Sequence, residues 1–338
     1  MKKHLIAAAV AAAVAVPAMA QNVTVYGRLD AGYRDTENKS NGSISTASNA
    51  IGYNAFTTSR IGVTGSEDLG GGLKAGFTVE GNIAAAAGTT GSNNATAFNF
   101  GRHQFLTLSG GFGTVLAGKT DSMVKAVFDS YDAGYSNNIT GAFDSLGNGA
   151  GIVGNRRDAT VRYTTNAMSG LSLSAGVMNS TSEAGTVKTE DNNGYEVGAR
   201  YAAGKLSVGV AFRDADSKVG TTSDTTTKTT ALGASYDLGS VVLFGQYFDQ
   251  SDKNKVAGTK VDTDAYAIGA RLPMGATTLF ASYTSGDQGT TDLTGFQLGL
   301  KHDLSKRTYA YVVYGDREEK GATKVETRDV AVGIAHHF

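Results

Sequence analysis

The sequence predicts an all-β fold: a 16-stranded antiparallel transmembrane β-barrel with short turns at one end and long polar connections at the other. Three observations predict it. Segments of about ten residues alternate apolar with small or polar side chains, the period-two signature of a strand with unlike faces. Tight turns and long polar stretches succeed one another along the chain, and no segment beyond the leader is apolar over the roughly twenty residues that a membrane helix needs.

Residues 1–20 read as a secretory signal peptide and are set aside from the fold. Lys2, Lys3 and His4 form the basic start. The apolar run over 5–16 is about twelve residues, too short to span a bilayer, and Ala18-Met19-Ala20 supplies the small-residue cleavage pattern. The predicted barrel therefore covers 21–338. An exported chain with no Cys has no disulfide staple, zinc-thiolate site or thiol nucleophile. Without Lys2 and Lys3, 28 basic residues face 31 acidic ones, so the mature chain is mildly acidic and has no general affinity for nucleic acid. Forty-five Gly and only two Pro point to β-structure whose turns use glycine. A mean hydropathy of −0.17 suits a barrel in which only alternate residues meet lipid.

The strands follow from alternation. Leu206, Val208, Val210 and Phe212 point one way and Ser207, Gly209, Ala211 and Arg213 the other. Tyr195, Val197, Ala199 and Tyr201 oppose Glu196, Gly198 and Arg200 in the same manner, and Val330, Val332, Ile334, His336 and Phe338 close the series. Residues 101–109 and 113–119 are apolar on both faces, and alternation alone does not orient them. Seven tight turns are expected at 68–72, 109–111, 166–170, 202–204, 237–239, 272–275 and 303–306. Between them lie eight long polar stretches near 34–55, 82–96, 120–155, 179–193, 214–228, 249–262, 285–292 and 316–327. Eight long connections and seven turns join sixteen strands with both chain ends on the turn side, and a barrel of about sixteen strands is too wide for its side chains to fill. An aqueous channel is the expected consequence.

Several stretches resemble the trimeric general porins of Gram-negative bacteria, in their betaproteobacterial branch: Val23-Thr24-Val25-Tyr26-Gly27-Arg28-Leu29-Asp30, Ser59-Arg60-Ile61-Gly62-Val63-Thr64-Gly65-Ser66-Glu67-Asp68-Leu69-Gly70-Gly71-Gly72, and the ending Val332-Gly333-Ile334-Ala335-His336-His337-Phe338. The resemblance spans nearly the whole mature chain. It implies an outer-membrane homotrimer passing small hydrophilic solutes and ions, with anion preference, no cofactor and no catalysis. It also implies contact with membrane lipid and lipopolysaccharide, and a terminal Phe338 read by the barrel-assembly machinery. The third loop, about 120–155, is then folded into the channel as a constriction. Its acidic residues would be Asp121, Asp129, Asp132 and Asp144, facing a basic wall of Arg60, Arg102 and Arg156 with Arg28 and Lys74 as additions. Lys119 stands where the family commonly has Arg, and Arg156-Arg157 leaves the third position open by one residue.

Periodicity independently puts Arg28, Arg60, Lys74 and Arg162 on the polar, lumen-facing side of their strands. The competing view of these charges is interior pairing with carboxylates of adjacent strands, and calcium is a competing ligand for Asp129, Asp132 or Asp144. Other chemistry finds little support. His336 and His337 are adjacent in a strand and point to opposite faces, so they do not share a metal. Gly70-Gly71-Gly72 lacks the Lys-Ser/Thr and helix of a phosphate loop. An outer-membrane hydrolase would need Ser, His and a carboxylate within reach of one another, and no such trio can be named; a barrel with a plugged lumen is the remaining alternative.

Overall fold

The computed structural model describes residues 22–83, 98–141, 156–184 and 187–338. The predicted signal peptide, most of the second long connection and Asp144 lie outside the described residues. The strands are β1 (Thr24–Ser40), β2 (Ser43–Tyr53), β3 (Arg60–Gly70), β4 (Leu73–Ile83), β5 (Phe98–Gly110) and β6 (Gly113–Asp121). One helix, α1 (Met123–Tyr131), precedes β7 (Arg156–Thr164), β8 (Leu171–Ala184), β9 (Val187–Ala203), β10 (Leu206–Val219) and β11 (Ser223–Asp237). The barrel is completed by β12 (Val242–Asn254), β13 (Thr259–Met274), β14 (Thr277–Gln288), β15 (Thr291–Asp303), β16 (Thr308–Lys320) and β17 (Lys324–His337).

Seventeen strand segments make sixteen staves, because β2 and β3 are two halves of one. β1 pairs with β2 along its upper half, from Ala31 opposite Tyr53, and with β3 along its lower half, from Thr24 opposite Thr64 to Arg28 opposite Arg60. Residues 54–59 interrupt the stave and turn Phe56 into the interior. Every neighbouring pair is antiparallel, and β17 pairs back onto β1, so the sheet closes on itself as a barrel. The closure reaches the last residue: the backbones of Gly27 and Phe338 exchange two hydrogen bonds of 3.1 Å each.

The predicted faces are the observed ones. Val210 is 37% exposed on the outer wall while Arg213 is 1% exposed inside. Tyr247, Tyr266, Tyr283, Phe296 and Tyr314 stand on the outer surface, where a transmembrane barrel carries its aromatic girdle. Leu106, Leu108 and Ala117 point outward, which orients the two strands that alternation left open. His103, opposite Glu80, faces the lumen. Two irregularities explain the difficulty: β5 slips register against β4 between Glu80 and Asn82, and β6 slips against β7 between Gly118 and Thr120. A bulge reverses side-chain parity locally.

All seven predicted short turns are present, and at one of them Gly70, Gly71 and Gly72 take φ of 83°, 60° and 80°, values that favour glycine. The opposite ends differ from the loop expectation. Much of 34–55, 214–228, 249–262, 285–292 and 316–327 is built as continued strand, closed by short turns such as 41–42, 220–222 and 289–290. Threonine-rich stretches favour extended backbone, and cross-strand ion pairs such as Lys228 with Asp214 at 3.2 Å bridge the projecting hairpins.

The third connection folds into the lumen, where it forms the only apolar clusters among the described residues. Ser122 caps α1, its hydroxyl accepting from the Lys125 amide at 3.1 Å. Met123, Val124, Val127, Phe128 and Tyr131 form one helix face. This face packs on Ala211, Ala231, Phe248, Ala265 and Ala267 of the wall. A second cluster joins Phe56, Ile139 and Phe280 to Tyr309 and Tyr311. The wall under the helix has to be small: a Cβ on Gly233 would lie 2.2 Å from the Tyr131 ring, and one on Gly209 would lie 2.8 Å from it. Gly233→Val is therefore expected to loosen α1 by about 1–3 kcal/mol through overpacking. Hydrogen exchange should show faster α1 amides with unchanged barrel protection; equal protection of α1 in both proteins would contradict this.

Candidate functional site: the channel constriction

Five wall residues latch the inward loop, and a sixth holds the break in the second stave. Glu196 accepts from the Met123 amide at 2.8 Å, and Gln246 donates to the Phe128 carbonyl at 3.1 Å. Arg271 donates to the carbonyls of Ala133 and Asp132 at 2.8 and 2.5 Å. Gln297 and Asn137 exchange amide hydrogen bonds of 2.9 and 3.0 Å, and Gln297 also reaches the Ile139 carbonyl. Asp329 accepts from the Thr140 amide at 2.8 Å and from Arg34 at 2.6 Å. Asp30 holds the break in the second stave, accepting from the amides of Phe56 and Thr57 at 2.8 and 2.5 Å and from the Tyr311 hydroxyl at 2.6 Å. Each strand-borne group satisfies backbone that the loop leaves unpaired, so the loop is part of the wall energetically.

Between this loop and β1–β7 lies a water-accessible recess of about 670 Å³. Arg28, Arg60, Arg102 and Arg156 line it from β1, β3, β5 and β7, and Lys125 joins from α1. Odd and even staves both present their polar face inward, and the register lays Arg28 beside Arg60 and Arg156 beside Asp121. The acidic lining is Glu80, Asp121 and Asp129. Arg102 Nε lies 2.5 Å from Glu80 Oε1 and its Nη1 donates to Asn82 at 3.2 Å. Arg60 stands 3.9 Å from the same carboxylate. Arg156 Nε is 3.1 Å from Asp121, and His103 lies 3.7 Å from Asp121 and 3.9 Å from Glu80. Lys125 and Asp129 pair at 2.8 Å, four residues apart on the helix. Five cations thus meet three carboxylates among the described lining residues, and Arg28 Nε is buried with no hydrogen-bond partner.

Four of the five expected basic residues converge here. Lys74 does not: it is exposed near the turn end of β4, six residues from Glu80 on the same face, roughly 20 Å at strand rise. Of the expected loop acids, Asp129 lines the recess, and Asp121 does so as the last residue of β6, in the wall instead of the loop. Asp132 is turned away. It is buried, accepts from the amides of Gly134 and Ser136 at 3.0 and 2.6 Å, and its burial pushes the carboxyl above the ordinary range. Its part is to shape the loop after α1. Of the Arg156–Arg157 pair, Arg156 lines the constriction recess opposite Asp121 in the β6–β7 register, and both arginines line a second recess with Glu190 and Asp216. Lys119 pairs with Asp158 at 2.9 Å, and Arg162 donates to the Asp121 carbonyl at 2.8 Å. Among the charged lining residues, Glu80 is the one that the sequence reading misses. Glu80 was legible, because it shares the lumen parity of Lys74. No group of three or more metal-ligating side chains occurs among the described residues.

A closed barrel of sixteen staves with an apolar outer wall, a charged lumen and a loop narrowing it defines a passive diffusion channel of the outer membrane. The family profile described as Gram-negative porin matches residues 7–322, and the chain belongs to that family. It is 34% identical to outer membrane porin protein 32 of Delftia acidovorans over 92% of this chain and 88% of that one. It is 30% identical to major outer membrane protein P.IB of Neisseria meningitidis serogroup B across the full length of both. Among solved structures, the anion-selective porin from Comamonas acidovorans superposes with a TM-score of 0.78 at 29% identity, covering 94% of this chain and 100% of that one.

Proposed function

We propose that this outer-membrane porin passes small hydrophilic solutes with a preference for anions, set by Arg28, Arg60, Arg102 and Arg156. The observation that carries this reading is the surplus of fixed cations in the narrow recess, with Glu80 and Asp121 already engaged by Arg102 and Arg156. The field differs from the sequence expectation of a basic wall facing an acidic loop: two of the three carboxylates belong to the wall itself. A unit charge at about 4 Å is worth roughly 1 kcal/mol in water and about 4 kcal/mol at an effective dielectric of 20. Since about 1.4 kcal/mol is a tenfold bias, a surplus of cations outweighs the mildly acidic balance of the whole chain, which salt screens over about 8 Å. The anion selectivity named for the Comamonas structure supports the reading.

The working unit we infer is a homotrimer, exported through a signal peptide over 1–20, inserted with Phe338 as the assembly signal and surrounded by lipid and lipopolysaccharide. An outward apolar groove formed by Phe77, Val79, Phe100 and Leu106 suits burial against a neighbouring copy. Transport alone, without catalysis, accounts for the site. The test is planar-bilayer conductance with reversal potential under a salt gradient. Steps in threes with an anion-directed reversal potential are expected, and Arg28→Ala or Arg60→Ala should move that potential toward zero. Cation preference in the unmodified protein would overturn the assignment.

A further inference from the structure

The ladder parts on one side of β7. Against β6 this strand is paired from Arg156 onward, whereas against β8 it is paired only from Thr160 to Thr164. Ala159, with a φ of 47°, marks the point of separation. A recess of about 390 Å³ opens beside the unpaired stretch, lined by Arg157 of β7, Met178 and Ser180 of β8, Asn192 of β9, Ala215 of β10 and Thr227 of β11. Arg213 lies on the lumen face of β10, two residues before Ala215, and is 1% exposed. It stands opposite Glu196 on β9 and Thr229 on β11. Its Nη2 donates to the Thr229 hydroxyl at 3.0 Å, while Nε and Nη1 have no hydrogen-bond partner. Arg157 Nε is also buried without one. Arg157 is the charge that acts on Arg213 most strongly, ahead of Glu196 and Asp252, and neither arginine forms an ion pair with a described residue.

We propose that Arg157 and Arg213 together bind a small inorganic monoanion of the halide class, which braces the unpaired start of β7 against β10. Two like charges held close together with idle N–H donors and little water are costly. An anion between them turns the repulsion into two charge-assisted contacts. The charge count selects a monoanion. Arg157, Arg162 and Arg213 stand among Glu196 and Asp252, three cations against two carboxylates, so one further negative charge balances the cluster. Both carboxylates are tied elsewhere: Glu196 accepts from the Met123 amide at 2.8 Å and lies 3.5 Å from Arg162, and Asp252 accepts from Thr227 and Gln250 at 2.5 and 2.7 Å. Glu196 Oε1 has no hydrogen-bond partner either, so this carboxylate does not reach the two guanidiniums. Glu190 and Asp216 line the same recess and disfavour a dianion, and a halide sheds its hydration more readily than sulfate or phosphate on entering a buried site. The ion is a fixed part of the wall, distinct from the anions that pass Arg28 and Arg60, so the inference does not rest on the selectivity reading.

The experiment is anomalous diffraction from crystals of the protein grown in sodium bromide. A bromide peak between the guanidiniums of Arg157 and Arg213 is expected, and it should be lost in Arg157→Gln. In solution, the melting temperature of the detergent-solubilised protein should rise with chloride, by about 2–4 °C for each tenfold increase above the dissociation constant. Gluconate at equal ionic strength should not reproduce the rise. Arg157→Gln should flatten the chloride dependence, and so should Arg213→Met, which removes the buried charge and keeps an unbranched side chain. Absence of bromide between the two arginines, or a chloride dependence unchanged in Arg157→Gln, would overturn the site and leave water as the partner of the idle donors. Bromide found only among Arg28, Arg60 and Arg102 would overturn it too, while leaving the anion preference of the channel standing. If Arg213→Met does not fold, Arg157→Gln alone decides.

Discussion

Replacing Arg28, Arg60 and Arg156 together by alanine is expected to convert the channel from anion to cation preference. Arg102 stays in this variant for a physical reason. Its guanidinium is the close partner of Glu80, which is 5% exposed, and removing it would leave a buried carboxylate unpaired. The remaining described lining charges would be Arg102 and Lys125 against Glu80, Asp121 and Asp129. At roughly 1 kcal/mol per charge near the ion path, the anion-to-cation permeability ratio should fall by a factor on the order of ten or more. Reversal potential at low salt is the readout, and the shift should shrink at about 1 M salt, where screening acts over about 3 Å. A triple variant that keeps the original sign would show that selectivity is set elsewhere along the lumen.

Releasing the inward loop is expected to have an equally large effect, on pore size instead of charge. Asp329 holds the Thr140 amide, Arg34 and the Thr36 hydroxyl, and Gln297 holds Asn137, Ile139 and Thr140. Both side chains are fully buried. Asp329→Ala with Gln297→Ala leaves several buried polar groups of the loop and of β1 unsatisfied, at about 1–3 kcal/mol each. That is enough to detach the segment 137–140 while α1 stays held through Glu196, Gln246 and its apolar face. Single-channel conductance should rise and become noisy, and liposome swelling should admit larger uncharged sugars. Thr46→Ala, which removes an exposed hydroxyl bonded to Asn38 on a projecting hairpin, should change neither. Unaltered swelling rates in the double variant would mean that the second internal cluster alone fixes the loop.

The staves and their two faces were legible because side-chain parity in a strand is a local property. Val208 and Val210 outward with Ala211 and Arg213 inward follow from sequence order alone, and so do the seven tight turns, six of them with glycine. Where parity is broken by a bulge, as at 100–102 and at Gly118, the sequence carries no mark of it, and Arg102 reaches the lumen on a strand whose neighbours Gln104, Leu106 and Leu108 of the same parity face outward. The strand extensions were read as loops because both of their faces are polar once the hairpin leaves the membrane. The apolar alternation stops there although the hydrogen-bonded ladder continues.

The charges show the same division. Arg28, Arg60 and Arg162 could be placed on the lumen side one by one, and the family resemblance suggested that Arg28 and Arg60 act together with Arg102 and Arg156. Which carboxylates stand among them depends on contacts between residues far apart in the chain. Asp132 and Asp129 are three residues apart in one loop, yet one is folded into the wall by the amides of Gly134 and Ser136 and the other faces the recess beside Lys125. The sequence by itself determined a membrane-crossing barrel, its strand number and the basic character of its inner wall, because period-two alternation and turn chemistry are short-range. Only the tertiary structure decided the path of the inward loop, the pairing of Glu80 with Arg102 and the seat of α1 on Gly209 and Gly233. These depend on close packing of small wall residues against a helix from another part of the chain, and on buried hydrogen bonds that form only when the barrel has closed.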